Sequence, residues 1–189
     1  MALARPVAEW PLLLCGPVLR RVTRSSVAVF VALSRSARVT LEVYEGTMAG
    51  VPGTLRGSVG RDPVRLGDRL FVAVVELGLS VLPGRTYGYD VRLTGTDGTE
   101  RRLANLGLVA APYSLGYDAP LPTFSVPGGL ADLTLLHGSC RKPHAAGTDA
   151  FALVDRILTA DRRRRADRTS CCSPETRSTP TTSPCRCWR

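Results

Sequence analysis

Between residues 11 and 110, apolar and polar residues alternate in short runs, with Gly, Pro and Ser in the gaps. Residues 26–33 (S-V-A-V-F-V-A-L) set Val27, Val29, Val31 and Leu33 on one face. Residues 38–44 (R-V-T-L-E-V-Y) alternate more cleanly, with Val39, Leu41 and Val43 inward and Thr40, Glu42 and Tyr44 outward. Residues 69–77 are a further apolar run, and within 86–93 Tyr87, Tyr89, Val91 and Leu93 share a face. A repeat of two is that of a strand with one buried side. The run 10–18, preceded by Glu9 and interrupted by Pro11 and Pro17, reads as a first strand. Residues 47–67 are rich in glycine and read as a long connection or a weak pair of strands. Gly95 and Asp97-Gly98 predict a hairpin turn over 94–100, because Gly reaches the positive φ that a tight reversal requires. Strands at this spacing, with no helical repeat among them, predict an all-β antiparallel sandwich over 11–110. A flexible N-terminus, 1–10, precedes it.

The pattern then changes. Residues 111–129, rich in Pro, Gly and Tyr, read as an ordered linker. Residues 131–136 form an apolar strand, and His137-Gly138-Ser139-Cys140-Arg141-Lys142-Pro143-His144 a polar loop. Thr148 suits a helix N-cap and Asp149 the positive helix start, while Phe151, Val154, Ile157 and Leu158 make one helical stripe. Strand, loop and helix over 130–160 are the opening of a layered α/β domain, whose sites lie at the carboxyl ends of its strands.

Residues 161–189 break the pattern again. They contain no Val, Ile, Leu, Met, Phe or Tyr, and Trp188 is their only large apolar side chain. The chain holds a single Lys (Lys142) among its 25 basic residues, one Asn (Asn105), one Ile (Ile157) and no Gln, a usage expected of GC-rich coding DNA. In such DNA a slipped frame yields Arg, Pro, Ser, Thr and Cys. Residues 174–189, with each codon started at the third base of the one before, can read P-G-D-Q-I-Y-A-D-D-V-A-V-P-L-L-A. The expectation is a frameshift that replaced a metal-binding G-D-x-x-Y motif with a disordered, out-of-frame tail.

Charge follows the same division. Eight Arg against Asp161, Asp167 and Glu175 in the tail supply five of the nine formal positive charges. The four left over the preceding 160 residues are scattered, so no nucleic-acid stripe is expected. No run approaches the ~20 apolar residues of a membrane span. Leu12-Leu13-Leu14-Cys15 lacks the small residue that precedes a lipid-attachment cysteine, and no secretory signal stands out, so a cytoplasmic location is expected. Four of the six cysteines (Cys171, Cys172, Cys185, Cys187) lie in the tail without a nearby His. Cys15, in an apolar run, reads as a buried small hydrophobe. Cys140 remains.

Two stretches resemble known families. The run 82–91 (L-P-G-R-T-Y-G-Y-D-V) resembles the late-strand signature of fibronectin type III domains, where a Pro-Gly bend leads into a strand whose first Tyr, here Tyr87, braces the sheet corner. The loop 137–144, after an apolar strand and a sandwich, resembles the start of the catalytic domain of PhoD-like (alkaline phosphatase D) metallophosphoesterases, which carry a fibronectin- or immunoglobulin-type sandwich in front of it. The resemblance implies metal-dependent hydrolysis of phosphate esters with iron and calcium. It also implies that Cys140 is an iron ligand beside the aspartate and tyrosine of a G-D-x-x-Y motif. That motif is absent from the translated chain, and one thiolate cannot hold a dinuclear centre, so the chain is expected to be a truncated, inactive member. His137 and His144 offer further ligands or plain loop polarity, and Arg141 and Lys142 attract a phosphate ester or are solvated. The alternatives are a stand-alone fibronectin III/Ig-like binding module with a basic tail, and a small metal or redox protein using the tail cysteines.

Overall fold

Val27, Val29, Val31 and Leu33 can leave water only if a second apolar face closes over them. The computed structural model, which describes residues 9–46, 52–109 and 120–133, supplies that face from Val39, Leu41, Val43, Tyr89, Val91 and Leu93. Among the described residues there are nine strands: β1 (Leu13–Val22), β2 (Ser26–Leu33), β3 (Ala37–Glu45), β4 (Thr54–Arg61), β5 (Val64–Gly67), β6 (Leu70–Gly78), β7 (Thr86–Gly95), β8 (Glu100–Arg101) and β9 (Thr123–Ser125). They form two antiparallel sheets, one ordered β1-β2-β6-β5 and the other β4-β3-β7-β8, with β9 also paired to β7. The inward residues of β2 and β3 are almost wholly buried, as a two-layer sandwich requires.

Local chemistry sets the turns. Between β1 and β2 the Thr23 hydroxyl accepts from the Ser25 and Ser26 amides at 3.2 and 2.9 Å. Between β7 and β8 Asp97 accepts from the Thr99 amide at 2.9 Å while Gly98 takes φ +78°. Tyr87 braces its corner as expected: its hydroxyl accepts from the Leu82 amide at 3.0 Å, and its ring stacks on Phe124 at 5.5 Å.

The described part of the glycine-rich stretch, 52–67, holds two strands of different sheets. β4 pairs with β3, β5 pairs with β6, and Asp62-Pro63 carries the chain between them. Gly57 lets the sheets approach there, since a Cβ at that position would lie 3.2 Å from Leu77 Cδ2. Cys15 is exposed, contrary to the burial expected of it. Irregular pairing between Leu13 and Val18 rotates β1, so Cys15 lies opposite Ala32 on the outer side of the sheet. Position 16 must be glycine for that path: its φ is +102°, and a Cβ would sit 2.7 Å from the Phe30 carbonyl oxygen.

Thr123–Ser125, within the stretch read as a linker, is a strand. β8 covers β7 only at Leu93 and Thr94, which leaves the edge at Thr86–Gly88 open, and β9 occupies it. Continuing the β8 register would set residue 106 opposite Gly88; Thr123 stands there instead, so 17 residues are looped out of one edge strand. Phe124 and Leu121 enter the core from this return. Leu130–Asp132 is a 3₁₀ turn with Leu130 89% exposed, where the sequence suggested the start of an apolar strand. The loop 137–144, the helical stripe and the tail lie outside the described residues.

Candidate functional site

Glu42 and Asp90 stand directly opposite each other on β3 and β7. The period of two sends both carboxylates to the outer side of the second sheet, where water would normally solvate them. Both are instead buried. Two facing carboxylates repel, and burial strengthens the repulsion, so a cation must lie between them.

Arg102 supplies it. Its Nη1 donates to Glu42 Oε2 at 2.6 Å and to Asp90 Oδ2 at 2.9 Å, and its Nη2 to Glu42 Oε1 at 3.2 Å. Arg92, two residues beyond Asp90 on the same side of β7, donates from Nε to Glu42 Oε1 at 3.3 Å and pairs through Nη1 with Glu100. The Tyr44 hydroxyl donates to Glu42 Oε2 at 2.6 Å. Asp90 Oδ1 accepts from the Val91 and Leu103 amides at 2.8 and 3.3 Å. Every carboxylate oxygen of the pair is thereby engaged.

Burial alone would raise the Glu42 carboxyl, but hydrogen bonds from Arg102 and Tyr44 and the charges of Arg102 and Arg92 hold it below the usual carboxylate range. Arg102 is raised by its bonds to Glu42 and Asp90 against the opposing effect of burial, so it stays charged. Burial and the bond to Glu42 raise the Tyr44 phenol, which keeps its proton as donor.

The cluster holds down the start of the looped-out segment. Arg102 opens it, and Asn105 Oδ1 accepts the Arg102 amide at 3.0 Å to curl the chain. The Leu106 amide then reaches the Arg102 carbonyl at 3.1 Å, and Leu103 inserts into the core at 1% exposure. The chemistry is that of a clamp. A metal cation would have to displace a bidentate guanidinium, and among the described residues no group of three or more His, Cys, Asp or Glu could hold a metal ion.

A second charged place lies at the end of β3. Glu45 sits between Arg56 Nε at 3.4 Å and Arg85 Nη1 at 3.6 Å, in an open depression also lined by Gly46, Pro52 and Gly53. The carboxylate at its centre opposes an anionic ligand, and both arginines are substantially solvated.

Cys140, the residue singled out as a metal ligand, lies outside the described residues, as do His137, His144, Arg141 and Lys142. The pattern along 38–44 placed Glu42 outward and so missed its burial. The available signal was a pair of acidic residues in mid-strand, where β-propensity disfavours them, followed by Glu100-Arg101-Arg102. Among the described residues no helix is long and apolar enough to cross a membrane. Comparison of the chain with protein-family models and with curated proteins finds no match.

Proposed function

We propose that the chain is the sandwich domain and opening catalytic segment of a PhoD-like metallophosphoesterase, with residues 161–189 read out of frame, and that it does not itself hydrolyse phosphate esters. The observation that carries this reading is the sequence Gly138-Ser139-Cys140, flanked by Arg141 and Lys142, following an antiparallel sandwich in one chain. Strand order supports the fibronectin III/Ig-like type: β1-β2-β6-β5 against β4-β3-β7-β8 parallels the arrangement of immunoglobulin-like sandwiches. The Tyr87 hydroxyl, bonded to the backbone five residues upstream, matches the corner tyrosine of that class.

On this reading the sandwich is a non-catalytic scaffold, and the Glu42–Asp90–Arg102 cluster shapes its surface without reacting. Cys140 offers a thiolate, a soft charged ligand suited to iron. A complete iron–calcium centre would activate water and clamp a phosphoryl oxygen. The described residues do not fit such a centre, and the translated chain lacks G-D-x-x-Y.

The test is to restore the reading frame after about residue 165 and extend into the downstream coding sequence. The restored protein should bind iron and hydrolyse phosphate mono- or diesters, and the 189-residue chain should show no turnover with iron and calcium supplied. In the restored protein Cys140→Ala should lose most of its iron, read by metal analysis, and most of its activity. Turnover by the unrepaired chain, or full iron content in Cys140→Ala, would overturn the proposal.

A further inference from the structure

Residues paired across a ladder point to the same side of a sheet. On the outer side of the first sheet this places Val18, Phe30 and Val74 in one row, and Cys15, Ala32, Val72 and Val64 in the next. Leu70, two residues from Val72, extends the second row along β6. All but the small residues are apolar and large, on a face where alternation normally puts polar side chains. Val18 is 39% exposed, Val74 50%, Val64 63% and Leu70 39%, so the described residues leave these side chains uncovered, while Ala28 and Ala32 lie buried among the larger ones. The row beyond Phe30 is different in kind: Arg21, Ala28 and Glu76 lie side by side, with a cation at the β1 edge and an anion towards β5.

We propose that this face is a self-association surface, on which a second copy of the chain packs face to face about a two-fold axis running along the strands. Rotation about that axis reverses the strand order, so β1 and β2 of one copy meet β5 and β6 of the other. Phe30 then lies over the partner's Val74. Ala32 lies over the partner's Val72, and Cys15 over the partner's Val64, a small side chain against a larger one each time. The charged row becomes self-complementary as well: Arg21 comes beside the partner's Glu76, and the reverse pair forms by symmetry. An axis across the strands would instead set this charged row over the far end of the sheet and leave both charges without their opposites. The face spans four strands at about 4.8 Å and some five residues at about 3.3 Å, roughly 300 Å² before side-chain relief. That is well under the ~800 Å² per partner of a standard interface, so the association is weak and depends on concentration.

Sedimentation velocity of the full chain, with reductant present so that Cys15 forms no cross-link, tests this over a range of about 1–200 µM chosen to bracket a micromolar Kd. The expected result is reversible dimerisation. Val74→Glu should abolish it while leaving the thermal unfolding midpoint unchanged, because Val74 is half exposed in the single copy. Arg21→Glu and Glu76→Arg should each weaken the dimer by about tenfold, since each change breaks both symmetric pairs and brings like charges together. The double variant should return the affinity to near the original. A wild-type chain that stays monomeric throughout would overturn the proposal and leave the face to a different partner. A Val74→Glu dimer as tight as wild type, or a double variant no tighter than the singles, would overturn it too.

Discussion

Arg102 is the residue on which most of the described polar structure converges, because it alone separates two buried carboxylates in register. Arg102→Ala should leave Glu42 and Asp90 facing each other with only Arg92 near. The loss should be about 1–3 kcal/mol, below the ~3–5 of a fully buried pair because the Arg102 side chain is 40% exposed. Urea unfolding of the variant would measure it, and adding Glu42→Gln should recover part of the loss by removing the repulsion. Tyr87 makes a different contribution. Tyr87→Phe keeps the stacking on Phe124 but removes the acceptor for the Leu82 amide, at a cost of about 1–2 kcal/mol by the same measurement. A variant as stable as wild type would show that water replaces the bond.

At the level of elements, sequence and structure agree where alternation is clean and part where backbone decides. β2, β3 and β7 were legible because Val, Leu and Tyr recur at every second position, and β6 because residues 69–77 form an apolar run. β4 and β5 were blurred by Gly57, Gly60 and Gly67, which remove the side chains that a pattern is read from. The orientation of Cys15 depends on irregular pairing in β1, which no side-chain pattern encodes. β9 hid for another reason: three residues carry no periodicity, and only the open edge of β7 gives them a partner. Of the charged cluster only the acidic residues in mid-strand were legible, because its members lie up to 60 residues apart and meet only in the fold. Phe124→Ala tests the weight of β9. It should destabilise the sandwich by about 2–4 kcal/mol in chemical denaturation, since the ring is 8% exposed and packs on Tyr87 and Tyr89. A change under about 0.5 kcal/mol, the scale of an ordinary surface substitution, would mean that the strand is peripheral to folding.

On the scale of the described sandwich there are two unlike outer faces, one apolar and one clamped by charge, and acid should act on the second. The Glu42 carboxyl is depressed below its ordinary value of 4.5, so the unfolded chain binds its proton more readily than the folded one. Its contribution to stability is therefore complete above about pH 4.5 and is lost as pH falls through the lower folded value. The urea midpoint should drop between pH 6 and pH 3, and drop less in Glu42→Gln. The split edge strand, finally, gives the sandwich an unequal response to force. A pull arriving from beyond Ser125 first meets β9, whose three residue pairs with β7 are bordered by the bonds from the Gly84 amide to the Val126 carbonyl and from the Tyr89 amide to the Pro122 carbonyl. Behind them the Arg102 clamp holds the other piece of the edge on its own, through Glu42 and Asp90. β9 would thus part from β7 while the Arg102 clamp still held, as a fuse placed ahead of the central strands.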